Sequence, residues 1–285
     1  MKTREIIHIE TGRPTSDGDG VKLTRVFGGR NPKQYDPFLL LDAFGSDDSV
    51  DYIGGFPPHP HRGFETVTYM LEGKMLHEDH LGNKGLLNDG DVQWMTAARG
   101  IIHSEMPQQT EGRMSGFQLW VNLPGAEKMK DPYYRDIASE NIPVKTIDGT
   151  TYKVIAGETE IGGNTVTGAV VGLSTNPLYL DIHVAPQQQV KINVPDGHTA
   201  LLYVYQDRAR IGDDKQMVNT GQVAVLTKEG YVRIQGNEET RLLLLAGKPI
   251  GEPVAQYGPF VMNAPQEIEQ AIKDYREGVL TSEVA

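Results

Sequence analysis

Short β-rich runs alternate along this chain with clusters of glycine, proline, asparagine and aspartate. Seven stand out: 65–70 (ETVTYM), 92–95 (VQWM), 116–121 (GFQLWV), 178–184 (LYLDIHV), 200–205 (ALLYVY), 222–226 (QVAVL) and 241–246 (RLLLLA). Strands at this spacing, with turn residues between them, predict an all-β sandwich or barrel. Helical signals are few, and the clearest follows Asn263. Pro265 opens a first turn with Glu267, Ile268, Ala271, Ile272 and Tyr275 recur at i, i+3, i+4 and i+7, and Gly278 is the stop. That pattern predicts a short C-terminal helix packed on a barrel.

Aligning strands rather than letters exposes an internal repeat. The run 64–73 (FETVTYMLEG) is followed by Gly90-Asp91-Val92, and the run 199–208 (TALLYVYQDR) by Gly221-Gln222-Val223. Each half has a β-run ending in a turn, a variable connection, then Gly-x-Val and another apolar strand, which implies two similar barrels. The polar stretch 128–149, with Asp131-Pro132, Pro143 and Asp148-Gly149, is the natural boundary. The expected domains are therefore 1–133 and 134–285, the second carrying the helix.

Composition narrows the chemistry. The 285 residues include no cysteine, which removes disulfides, cysteine zinc sites, iron–sulfur clusters and thiol nucleophiles together. With 27 basic and 38 acidic residues the formal charge is −11, which argues against direct nucleic-acid binding through clustered lysine and arginine. The start MKTREIIHIETGRP has no apolar stretch of secretory type, and nowhere do about 18 apolar residues run together. A soluble cytoplasmic protein without membrane segments is expected. Phosphate loops, dinucleotide fingerprints and Gly-x-Ser-x-Gly elbows do not occur.

Two constellations can hold a metal. His59 and His61 lie in GGFPPHPHRGFE; on an extended segment residues i and i+2 share a face, and Pro57, Pro58 and Pro60 keep the backbone extended. His103 and Glu105 repeat the i, i+2 spacing in ARGIIHSEMP. Three imidazoles and one carboxylate suit divalent iron, manganese, nickel, copper or cobalt, with positions left open for substrate. Phe56, Trp94, Met95, Met106 and Phe117 are candidates for an apolar pocket around the ion. His77 and His80, three apart in LHEDH, are expected on opposite faces as solvated turn residues, and His8, His183 and His198 stand isolated. In the second half the corresponding segment holds Pro186 and Gln187, Gln188 and Gln189, which are poor ligands.

At these residues the chain resembles a known family. The segments PHPHRGFETVTYMLEG, NDGDVQWMTAARGIIHSEMP, GFQLWVNLP and GEPVAQYGPFVMN, with DPFLLLDAFG at 36–45, resemble those of the pirin family of double cupins, from about Lys22 to Tyr275. The resemblance implies two cupin barrels, the N-terminal one holding the metal and the C-terminal one without it. It places the metal, usually iron, on His59, His61, His103 and Glu105. Ala98 stands where a glycine is common. Many cupins use a glutamate three or four residues after His-x-His, where Glu65 sits; the pirin pattern points to Glu105 instead and leaves Glu65 as an outer or structural partner.

The resemblance further implies a dioxygenase that cleaves flavonols such as quercetin with dioxygen, Glu105 serving as general base. A second implied role is a metal-containing, redox-sensitive regulatory protein that binds a transcription factor or a metabolic enzyme; the acidic charge suits a basic protein partner. A cupin isomerase acting on sugar phosphates is a third reading, weakened because Arg62 and Arg99 are the only basic residues near the ligands in sequence.

Overall fold

All seven runs form strands, several two or three residues longer than the apolar stretch, as in Phe64–Glu72, Met114–Asn122 and Thr240–Gly247. The computed structural model describes residues 2–29 and 32–282. Among them no helix is long and apolar enough to cross a membrane.

Contacts divide the chain into two units that interleave in sequence. The first comprises residues 14–32, 38–139 and the chain from Ile250 on; the second comprises the chain up to Arg13, Lys33–Pro37 and Glu140–Pro249. A single cut at 133/134 therefore does not describe the contacts. The reason at the N-terminus is strand pairing: Ile6–Thr11 is antiparallel to Gln222–Leu226 and completes a sheet of the second unit. At the C-terminus the reason is apolar packing. Ile268 and Ala271, on the buried face of helix Pro265–Arg276, cluster with Phe260 and Met262, and Ile102 of a first-unit strand packs against them.

Each unit pairs a seven-stranded sheet with a four-stranded one. In the first unit the four-stranded sheet runs, in spatial order, Phe56–His61, Ile101–Pro107, Met75–Asp79 and Lys84–Leu87. In the second it runs Gln189–Ile192, Val232–Gly236, Arg208–Ile211 and Gln216–Asn219. All strand pairings of both sheets are antiparallel, so each strand presents alternate residues inward. The second unit is filled with aliphatic side chains from both of its sheets, including Leu180, Val190, Ile211, Ile234 and Leu244. The first has an apolar cluster around Phe44, Tyr52, Met70 and Met114, further buried apolar residues such as Leu41, Val67 and Leu119, and buried polar residues that include His61, His77, His103 and Glu105.

Gly63 ends the first strand that carries histidines. It has φ +92, and a Cβ there would collide with the carbonyl oxygen of Val261. That close approach lets the hairpin Ala255–Tyr257 and Phe260–Met262 lie against the strand end, where the Val261 amide donates to the Arg62 carbonyl at 3.0 Å. Arg62, itself buried, donates to Asp274 of the helix at 2.6 Å and to the Leu280 carbonyl at 3.1 Å. The C-terminal segment is thus tied to the residue next to His61. Ala98 has φ +44, a conformation that favours glycine and accounts for glycine being common there.

Candidate metal centre

Phe56–His61 and Ile101–Pro107 are antiparallel neighbours in which His103 lies opposite His59 and Ile101 opposite His61. The register shifts between His103 and Glu105, so that Glu105 faces Phe56 with Pro57 and Pro58 taken up in the bulge. Prolines have no amide to donate, which suits them to a bulge rather than to a paired position. Alternation then turns Ile101, His103 and Glu105 to the buried side while Ile102 and Ser104 are only partly buried.

The structure brings the ligand atoms of His59, His61 and His103 within 4.8 Å of one another, and does the same for His77, His103 and Glu105. His59 Nε2 and His61 Nε2 are 3.1 Å apart. His59 Nδ1 lies 2.9 Å from the Pro57 carbonyl, which can only accept, so Nδ1 carries the hydrogen and Nε2 keeps its lone pair. Burial, and after it the neighbouring imidazoles, hold His61 and His103 well below the ordinary histidine range, so both rings are neutral. His61 Nδ1 and His103 Nε2 are buried without a hydrogen-bond partner. Neutral imidazoles crowded together with unpartnered nitrogens, beside a buried carboxylate, fit a divalent transition metal.

Glu105 is 2% exposed and is held from several directions. The Thr68 hydroxyl donates to Oε1 at 2.9 Å, and the Gln118 amide to Oε1 and Oε2 at 3.3 and 3.0 Å. Trp120 Nε1 in turn donates to Gln118 Oε1 at 3.3 Å, which orients the amide. Glu65, by contrast, accepts from the Thr96 hydroxyl at 2.6 Å. Burial raises its pKa.

A cavity of about 760 Å³ opens onto His59 and His61. Trp120 and Phe56 contribute to its wall, and Trp120 packs on Phe64 at 4.3 Å and edge-on to His61 at 5.4 Å between ring centroids. Of the apolar residues expected around the ion only Phe56 lines this cavity. Trp94, Met95 and Phe117 are buried core instead; Phe117 alternates along its strand with Gln118 and Trp120, which are the residues of that strand that line the cavity. Arg25, also on the wall, is clamped by both oxygens of Asp42 at 2.9 and 2.8 Å. Arg62 pairs with Asp274 and Arg99 with Asp131, so each of these arginines is already matched by a carboxylate.

His77 is the residue that sequence reasoning missed. It is fully buried rather than solvated, sits directly opposite Glu105 in the strand register, and has Nδ1 3.3 Å from His103 Nδ1. The available signal was alternation: Met75 and His77 occupy the buried positions of a five-residue strand whose Glu78 is exposed. His80 is exposed, as expected. His183 is not isolated, since its ring lies 3.2 Å from Asp181 and 3.1 Å from the Tyr205 hydroxyl. Among the described residues, both groupings of metal-binding side chains belong to the first unit.

Known proteins share this plan over the whole chain. A human protein named pirin is 44% identical over 269 residues, covering 93% of this chain and 89% of its own. A Pseudomonas aeruginosa protein named "putative quercetin 2,3-dioxygenase" is 52% identical over 279 residues, covering 97% of this chain and 98% of its own. The crystal structure of a quercetin 2,3-dioxygenase from Acinetobacter baumannii superposes with a TM-score of 0.89 at 33% identity, covering 99% of this chain and all of that one. The family model for pirin matches residues 20–121, around all four expected ligands, and that for the pirin C-terminal cupin domain matches residues 179–281. With two cupin domains, a histidine cluster in the first and an aliphatic interior in the second, the chain belongs to the pirin family.

Proposed function

We propose that this protein is a metal-dependent dioxygenase of the pirin type that opens the central ring of a flavonol such as quercetin, consuming one dioxygen and releasing carbon monoxide. The observation that carries the reading is the close grouping of His59, His61 and His103, with buried Glu105 near His103, beside a cavity that His59 and His61 line and that is large enough for a flat three-ring substrate. His59, His61, His103 and Glu105 would hold the ion; iron(II) is the metal proposed, with manganese, nickel, cobalt and copper suited to the same donors. When bound, a divalent ion supplies Lewis acidity toward the substrate's 3-hydroxyl oxygen and a route for electrons to dioxygen.

The protein's own groups do the rest. Glu105 takes the 3-hydroxyl proton as general base, since its carboxylate is buried and lies near His103. Thr68 and Gln118 hold that carboxylate in place. Trp120 and Phe56 offer apolar wall to the substrate rings.

Oxygen uptake and loss of flavonol absorbance are the direct assay. Protein loaded with iron(II) should exceed free-metal controls by orders of magnitude. Turnover equal to those controls across the metal panel would sink the reading. Elemental analysis of protein purified without added metal identifies the resident ion.

A further inference from the structure

A ligand histidine binds through one nitrogen, and the other nitrogen needs a partner that fixes the tautomer. For His59 that partner is the Pro57 carbonyl. For His103 the only partner found is another imidazole, His77, at 3.3 Å between the two Nδ1 atoms. We propose that His77 is a positioning residue that sets the tautomer of His103, its Nδ1 accepting the His103 Nδ1 hydrogen so that His103 Nε2 presents a lone pair to the metal.

Only two arrangements of this pair make a hydrogen bond. If His77 donates, the hydrogen of His103 sits on Nε2 and blocks ligation. If His103 donates, Nε2 is free, and Nε2 is the buried His103 atom that has no partner. The surroundings hold His77 in place to accept. It is fully buried and opposite Glu105 in register, and its ring stacks on Tyr134 at 4.7 Å with 28° between planes. The Tyr134 hydroxyl is itself fixed by donation to Asp136.

His77, His103 and Glu105 also lie close enough to share an ion. That ion would take His103 but neither His59 nor His61, whose Nε2 atoms stand 3.1 Å apart. The tautomer role keeps all three histidines on one ion. The second barrel agrees: its matching strand, Arg208–Ile211, turns Ala209 and Ile211 inward, so the imidazole is absent where the ligands are absent.

This inference rests on the assignment of His103 as a ligand. The test uses full-length, metal-free, ¹⁵N-histidine-labelled protein, with nickel(II) as the probe. Two-bond ¹H–¹⁵N spectra should show His103 as the Nδ1–H tautomer in the wild type. His77→Phe should mix the tautomers and weaken nickel binding, measured against a competing chelator, by about 10- to 100-fold. His77→Gln, whose amide oxygen can accept, should recover affinity to within about threefold of wild type.

An Nε2–H His103 in the wild type overturns the proposal. So does a folded His77→Phe protein that binds nickel as the wild type does. So, too, does X-ray absorption that counts one imidazole fewer on nickel in His77→Gln, since His77 would then be a ligand. If His77→Phe does not fold, the wild-type tautomer and the His77→Gln affinity still decide. His59→Ala with undiminished nickel binding would instead defeat the metal-centre reading, leaving the wild-type spectrum to judge the His77–His103 hydrogen bond by itself.

Discussion

In the second barrel Gln189–Ile192 pairs with Val232–Gly236 much as Phe56–His61 pairs with Ile101–Pro107 in the first. The side chains turned inward are of opposite kinds. Val190, Ile192, Val232 and Ile234 fill the second barrel, and His61, His103 and Glu105, with half-buried His59, occupy the first. Aliphatic filling stabilises by about 1.5–3 kcal/mol for each fully buried side chain. The first barrel gives this up where His61, His77, His103 and Glu105 are buried in place of aliphatic side chains. One strand plan thus serves packing in one copy and a strained polar centre in the other.

The comparison breaks first at the ligands. His103→Leu should weaken nickel binding by well over about 100-fold, more than loss of an outer partner costs. The metal-free protein should melt close to wild type in calorimetry, because removing the partnerless His103 Nε2 is offset by leaving buried His77 Nδ1 without its partner. The converse change is Ile234→Ala in the second barrel, which leaves a cavity and should cost about 2–5 kcal/mol in chemical denaturation. Its nickel stoichiometry should be that of the wild type. A large loss of metal there would show that the second barrel is more than scaffold.

A smaller effect separates holding the ion from using it. Gln118→Leu removes the amide that restrains both oxygens of Glu105, a hydrogen bond to a charged group worth about 1.5–3 kcal/mol. The expected result is a loss of roughly tenfold or more in kcat/KM for the flavonol. Metal content by elemental analysis should stay near that of wild type.

Each barrel also buries a cation against main-chain carbonyls, and these differ in pH response. Arg4 donates to the carbonyls of His198, Thr227, Pro195 and Gly230 in the second unit. Lys128 donates to those of Gly63 and Val261 and to Asn122 in the first. Burial lowers both, but Lys128 falls to about 8 while an arginine stays charged. Between about pH 8 and the usual lysine range the unfolded chain binds the proton that the folded chain has released. Stability contributed by Lys128 should therefore rise with pH there, by at most about 1.4 kcal/mol per unit. Denaturation series at pH 8 and 9 should show that slope in wild type and its loss in Lys128→Met.

Much of this was legible in the residues. Runs such as LYLDIHV and QVAVL carry their strand preference locally, and Ile268, Ala271 and Ile272 mark the packed face of the helix. The i, i+2 pairs His59/His61 and His103/Glu105 were visible because strand alternation places both members on one face. His77 was hidden because the residue that gives it meaning, His103, is 26 positions away and meets it only through strand pairing. Trp120 was missed for a similar reason: whether an aromatic on a long strand faces a cavity or the core depends on the sheet across from it.

The sequence by itself determined the all-β architecture in two copies, the helix, and the i, i+2 spacing of the candidate pairs His59/His61 and His103/Glu105, since these follow from short-range periodicity and side-chain chemistry. Tertiary structure alone decided which barrel takes each chain end. It also decided which histidine joins the centre and which aromatic lines the cavity. Those outcomes depend on pairing and burial between residues far apart in the chain, where local preference is silent and the competition for buried surface and for hydrogen-bond partners is settled by the whole fold.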